Sequence, residues 1–424
     1  MDSILLEDNA HWLNKESYSD FVHREAIKKA MSYMVTKEIV AIIGGRRVGK
    51  STLARLMINE LLKTVEAKNI FFINLEKPSF IPYKNDPNYL DKIYTEYLKI
   101  ANPNLDEKIY FFIDEIQIFD NWEVYIKSKY ENSNIKFIIT GSNSSLLTSN
   151  YATVLTGRVL KLELYSFNFR EFLTYKRIDF SSRLQIIDNS VDIKRAFDEY
   201  LLWGGYFSVM STPDITVKKE LLKNIAEDII LKDIVPRYKI KNSSEIRDMF
   251  FYLVSNATTL INYSTLANKL NLDAKTVKEY INYFEDNFLI TRISKYHNKL
   301  TQQINSSKKI YVNDNGFLNL GINRSKNSGI YLENLVFNSL YQKDEKVTYL
   351  KDSYEIDFLS ENILYQVSYD ISDDKTKKRE LNAFKYFQFN ETIKNRLITY
   401  DTNEKIENIE VISYDKFILG SSNE

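Results

Sequence analysis

The stretch Gly44-Gly45-Arg46-Arg47-Val48-Gly49-Lys50-Ser51-Thr52 constrains this chain more than any other. It fits G-x-x-x-x-G-K-[ST], the phosphate-binding P-loop. The apolar run Glu38 to Ile43 before it reads as a buried strand, and Thr52 to Leu62 after it has helical spacing. Strand, glycine-rich loop and helix in that order turn the pattern into a site. Glycines let the backbone curl so that N–H groups face phosphate oxygens. The helix N-terminus adds partial positive charge. Every residue from Gly44 to Thr52 is therefore expected at a bound nucleotide, ATP. Lys50 would reach its β- and γ-phosphates, and Ser51 would offer its hydroxyl to Mg²⁺.

Composition narrows the alternatives. A chain of 424 residues predicts two or three domains. Its formal net charge is 0, so only a local basic patch would attract nucleic acid. There is no Cys, and the three His (His11, His23, His297) are scattered, which excludes disulfides and argues against a zinc enzyme. The N-terminus lacks a basic segment followed by an apolar one, and no apolar run approaches ~18 residues. A cytoplasmic protein without a membrane partner is expected.

Ahead of the P-loop, Phe21, Ile27, Met31 and Met34 recur at near-helical spacing up to about Thr36; Arg24 and Glu25 could lie near a nucleotide base, but a solvated helix face is the expected place. Beyond it, residues 69–75 read as a second strand and 89–100 as an amphipathic helix. Residues 108–115 read as an apolar strand ending in Asp114-Glu115, the Walker B pattern. Asp114 would hold Mg²⁺ through a water, and Glu115 would take a proton from the attacking water or position it. Residues 116–123 begin a helix with Trp122 facing inward. Another buried strand over 135–141 runs into Ser142 and Asn143, which either sense the γ-phosphate or cap the strand end. Arg158, after Gly157, has three possible places: phosphate in cis, a neighbouring subunit's nucleotide as an arginine finger, or plain surface.

Together with these blocks, Ile113-Asp114-Glu115-Ile116-Gln117, Thr140-Gly141-Ser142, Gly157-Arg158, Ser166 to Phe172 and Leu201 to Phe207 resemble the prokaryotic AAA-type ATPases that carry a C-terminal DUF4143 domain. Those are similar to the archaeal ATPase group of STAND-like proteins. One departure is Leu164-Tyr165, where family members commonly have Pro-Leu.

The remainder reads as a helical bridge over 181–214, an amphipathic helix over 218–238, and then a winged helix over 245–312. Its third helix carries Lys275 and Lys278, which would meet DNA; Glu279, Glu285 and Asp286 favour the rival reading, a winged helix used for packing against protein. The last segment resembles a PD-(D/E)XK nuclease core. Glu333 and Asp357 match its carboxylates, but Gln366 and Ser368 stand where the motif has Glu and Lys. Lys375 and Lys377 are possible substitutes, too far along the chain to fit well.

The expected fold is thus α/β: a P-loop ATPase domain over 1–195 with a parallel sheet, a bridge and winged-helix domain over 196–315, and an inactive nuclease-like α/β domain over 325–424. The expected function is Mg²⁺-dependent ATP hydrolysis that switches domain arrangement and the binding of a partner, DNA or another protein, with oligomers allowed. A non-hydrolysing ATP-bound module and an ATP-gated nuclease are the rivals.

Overall fold

Four short runs, IVAII, IFFIN, IYFFID and IKFIITG, are apolar almost without alternation, as strands buried on both faces must be. In the computed structural model they are β1 (Ile39–Ile43), β2 (Ile70–Asn74), β3 (Ile109–Asp114) and β4 (Ile135–Gly141). With β5 (Val159–Glu163) they form a sheet of order β2-β3-β4-β1-β5, every neighbouring pair parallel. The structure describes residues 1–15, 18, 20–144, 154–322, 327–387 and 393–420. The chain divides into two units, Met1–Leu164 and Tyr165–Glu424.

In the first unit the helices are α1 (Asp2–Asp8), α2 (Ala26–Tyr33), α3 (Lys50–Leu61), α4 (Tyr89–Ala101) and α5 (Trp122–Asn132). The N-terminal segment is less continuous than its spacing predicts. It breaks after α1, and Asn9 instead acts as a strand mimic. Asn9 accepts from the Phe72 N–H at 2.7 Å and donates to the Phe72 carbonyl at 2.8 Å, which closes the open edge at β2. His11 is buried beside it with Nε2 3.0 Å from the Ile70 carbonyl. Burial lowers its pKa to about 4, against that hydrogen bond. The helix expected from residue 116 is also interrupted: a single 3-10 turn (Ile116–Ile118) precedes α5, where Trp122 is buried as expected. Lys136, inside the apolar β4, caps the turn after α2 by donating to the carbonyls of Tyr33, Thr36 and Glu38. Burial brings its pKa down to about 8.

In the second unit, helices Ser243–Ser255, Tyr263–Leu270 and Ala274–Asp286 alternate with the strands of an antiparallel sheet, whose first strand lies between the first two helices. It is made of β6 (Leu260–Ile261), β8 (Lys308–Val312) and β7 (Ile290–Ser294), in that order. Asp273 caps the third helix, accepting from the N–H groups of Lys275 and Thr276 at 2.9 Å. A helix over Ser328–Tyr341 leads to a six-stranded mixed sheet, which includes β9 (Thr348–Lys351) and β10 (Glu355–Ser360), the latter paired antiparallel with β11 (Ile363–Val367). Ile356, Leu364, Phe384 and Leu397 form its core. The expected boundary at residue 325 lies outside the described residues.

Two of the resemblance blocks turn out to share one knot. Asp314 accepts from Ser166 Oγ at 2.5 Å, from the Gly205 N–H at 2.9 Å and from the Gly316 N–H at 2.8 Å. Gly204 sits at φ 70°, and a Cβ there would lie 1.9 Å from an Asp314 oxygen, so only glycine fits. Asn168 and Glu171 complete a reciprocal cap on the helix Phe169–Tyr175. These motifs hold the fold together. Among the described residues no helix is long and apolar enough to cross a membrane.

Candidate functional site at the P-loop

β1 lies between β4 and β5, so the strand order reverses direction there, and the loop at its C-terminal end opens into the crevice where such sheets bind ligands. Gly49 has φ 98°, a left-handed geometry that lets the loop turn directly into α3. Arg24, expected on a solvated face, is buried instead: it is 2% exposed and its Nη1 donates to the Val48 carbonyl at 2.8 Å. It braces the loop from behind. Arg46 lies 3.3 Å from Glu76, Arg47 is exposed, and Thr52 is half-buried on the first turn of α3.

Lys50 is buried. Its Nζ donates to the carbonyls of Gly44 at 3.1 Å and Gly45 at 3.0 Å, and lies 3.5 Å from Glu115 Oε1. Ser51 Oγ donates to Asp114 Oδ2 at 2.7 Å. Thr140, on the strand between β1 and β3, donates to Asp114 Oδ1 at 2.6 Å and accepts from the Glu115 N–H at 3.0 Å. Four groups predicted from separate stretches, Lys50, Ser51, Asp114 and Glu115, therefore share one cluster.

The two adjacent carboxyls have opposite tendencies. Burial pushes Asp114 up, and the Glu115 charge adds to this. Burial also acts to raise Glu115, but Lys50, Gln117 and Arg46 outweigh it and hold its pKa below the usual value. Glu115 is thus ionised at neutral pH. Oxygen donors at Ser51 and Asp114 are the type that Mg²⁺ takes.

Sequence reading missed two members of this cluster. In the sequence Thr140 stands within a strand and a resemblance block, and Gln117 within another block, with no role marked for either. Gln117 Nε2 donates to Glu115 Oε2 at 2.5 Å and to Ser142 Oγ at 3.3 Å. A polar residue three places after a Walker B aspartate was the available signal. Asn143 is buried directly after Ser142. Arg158 is not brought to the loop. Its carbonyl accepts from the Ile39 N–H at 2.8 Å, at the start of β1, while the P-loop follows the other end of that strand. Its guanidinium lies 3.3 Å from Glu131. A contact with phosphate in cis is corrected accordingly: the length of β1 separates the two.

The nuclease-like positions form a separate cluster in the second unit. Asp357 Oδ2 accepts from the Val367 N–H at 2.9 Å, and Gln366 spans from the Asp357 N–H at 3.2 Å to Glu380 at 2.6 Å. Ser368 donates to the Asp370 carbonyl at 3.0 Å. Lys377 pairs with Glu404 at 2.8 Å and Lys375 is exposed, so neither supplies charge here. A lysine from β8 does. Lys309 Nζ lies 2.5 Å from Glu355, 3.5 Å from Glu333 and 3.6 Å from Asp357. Tyr311 donates to Glu333 at 2.9 Å. Burial and the nearby Glu333 push Asp357 up to about 8. Among the described residues no group of three or more His, Asp or Glu side chains is arranged to hold a metal ion.

On the third helix of the second unit, Lys275 and Lys278 are exposed, with Lys275 Nζ 3.9 Å from Glu279.

Residues 36–173 match the family model described as an AAA domain. Residues 194–328 match a domain of unknown function, DUF8612, where the resemblance led to DUF4143. The chain is similar to an uncharacterized protein of Methanocaldococcus jannaschii, at 34% identity over 83% of this chain and 79% of that protein. It is similar to an uncharacterized protein of Haemophilus influenzae, at 30% identity over 93% of this chain and 97% of that protein. Among solved structures, the Walker-type ATPase of Pyrococcus abyssi matches at 14% identity and a TM-score of 0.45, over 71% of this chain and 96% of that one.

Proposed function

Given that the chain belongs to one family with the uncharacterized Methanocaldococcus and Haemophilus proteins and matches an AAA domain over residues 36–173, we propose that it is a Mg²⁺-dependent ATPase whose nucleotide state governs what its second unit binds. The observation that carries this is the meeting of Lys50, Ser51, Asp114 and Glu115 at the C-terminal edge of one parallel sheet. Loop N–H groups from Gly44 to Thr52 and the start of α3 take the phosphates. Lys50 holds two neutral backbone carbonyls. Phosphate oxygens would replace them, because an anionic acceptor adds the attraction of opposite charges to the hydrogen bond of the ammonium. Ser51 and Asp114 would hold the Mg²⁺, which would neutralise charge developing on the phosphates. Glu115, ionised and 3.5 Å from Lys50, accepts the proton of the attacking water. Asn143, buried two residues beyond β4, would sense the γ-phosphate. Arg158 would act only on a neighbouring copy's nucleotide, in an oligomer.

The three-part division into ATPase, winged-helix and nuclease-like regions belongs to the same proposal. A helix, a short strand, two helices and then two further strands of one antiparallel sheet are the element order of a winged helix. The exposed Lys275 and Lys278 would meet DNA phosphates, and a lysine among acids leaves the last region without nuclease chemistry.

The test is nucleotide titration and phosphate release. Lys50→Ala is expected to abolish MgATP binding. Glu115→Gln should keep binding and lose at least about tenfold in turnover, about 1.4 kcal/mol of barrier. Unchanged affinity in the first variant sinks the site, and unchanged phosphate release in the second sinks Glu115 as the base.

A further inference from the structure

Gln117 carries an unmet hydrogen-bonding atom at the reacting end of the site. Glu115 has left-handed backbone (φ 55°, ψ 49°), uncommon for a residue with a long side chain. Thr140 holds its N–H, and its carbonyl accepts from the Ile118 N–H at 3.2 Å. That turn folds Gln117 back over Glu115, although residues two apart do not face each other in a regular helix. A carboxylate can only accept, so the amide nitrogen of Gln117 must be the end that faces Glu115. This fixes Oε1 as the other end. Oε1 is buried and makes no hydrogen bond among the described residues. A buried acceptor left unmet costs about 1–3 kcal/mol, so this orientation is held at a cost unless something donates to it.

Resting on the ATPase reading above, we propose that Gln117 positions the attacking water: its Oε1 accepts one water hydrogen while Glu115 accepts the other. The water then has a lone pair left for the γ-phosphorus. As the O–P bond forms and the bond to the β-phosphate oxygen breaks, the proton passes to Glu115, and ADP leaves with the bridging oxygen. Ser142, which accepts from the same amide, fixes the amide plane and links this water to the end of β4. Gln117 is not a base; it supplies orientation, and removal of one such contact is expected to slow turnover by about tenfold to hundredfold.

The experiment compares two nucleotide complexes. ADP with beryllium fluoride imitates the ground state, and ADP with aluminium fluoride imitates the in-line transition state with its water. Gln117→Met removes the amide at similar volume. It should lower kcat with KM near wild type, and weaken the aluminium fluoride complex by a matching factor while leaving the beryllium fluoride complex unchanged. Gln117→Asn, with the amide drawn back by one methylene, should fall between. Wild-type turnover in Gln117→Met, or equal weakening of both complexes in both variants, overturns the inference while Glu115→Gln still tests the ATPase reading. Absence of turnover in the wild type overturns both.

Discussion

Each unit of this protein has a cluster in which a buried lysine meets acids, Lys50 in the first and Lys309 in the second, and the two lysines are held in different ways. Lys50 rests on two backbone carbonyls at 3.0 and 3.1 Å with a single carboxylate at 3.5 Å. Those partners are neutral or distant, and a phosphate group outcompetes them. Lys309 is ringed by Glu333, Glu355 and Asp357, above the ring of Tyr349 at 5.6 Å. Lys309 keeps Glu355 ionised while burial pushes Asp357 and Glu333 up, and no neutral partner could replace that ion pair beside a desolvated ammonium. The first lysine is held in readiness for exchange; the second is locked. The same residue type becomes part of a binding site or part of the core according to whether its partners can be displaced.

The largest test of this contrast removes the locked lysine. Lys309→Ala leaves buried acids without their counter-charge, a change that costs on the order of 3–5 kcal/mol. Hydrogen exchange should show lost protection over residues 355–367, with MgATP affinity unaltered. Lys50→Ala should do the reverse. If both variants lose stability equally, the distinction between exchangeable and locked lysines fails.

A second test uses pH. His11 titrates near 6.5 when unfolded and at about 4 when folded. Between those values the unfolded state binds more protons, so the first unit loses stability as pH falls from 6.5 towards 4. Asp357 is raised from 3.8 to about 8. Over that window the folded state binds more protons, so this group's contribution is full below 3.8 and is lost as pH rises to 8. His11→Gln and Asp357→Asn should each flatten the slope of their own unit, by about 1.4 kcal/mol per pH unit at most. Unfolding followed unit by unit by hydrogen exchange at pH 5 and 6.5 measures it. Slopes of the same sign, unmoved by either variant, would break the comparison.

The locked cluster also predicts an absence of activity. Plasmid incubated with the protein and Mg²⁺ or Mn²⁺, with or without ATP, should stay intact. Cleavage that disappears in Asp357→Ala would show that Lys309 does not block the site. The smallest expected effect concerns DNA binding. Two phosphate contacts at Lys275 and Lys278 give a log–log salt slope near −2, about −0.9 for each. A gel shift indifferent to removing both lysines would assign that helix to packing, as the nearby Glu279 already does in part.

What the sequence determined by itself is the ATPase sheet and the heart of its site. Unbroken apolar runs such as IVAII and IYFFID have one stable solution, a parallel sheet covered on both faces. The residues at their C-terminal ends, Gly44 to Thr52 and Asp114-Glu115, carry their chemistry in fixed local spacing. Helix caps such as Asp273 were legible for the same reason. Tertiary structure alone decided the rest. Thr140 and Gln117 join the site because a neighbouring strand and a left-handed turn bring them there. Arg158 leaves it because strand direction puts it at the far edge. Lys309 enters the acidic cluster from a strand 24 residues ahead of Glu333, a separation no local pattern reports. Periodicity states which face of an element is buried. It does not state which polar groups from distant elements will be buried together, because that depends on strand order and on the charges each desolvated group must find.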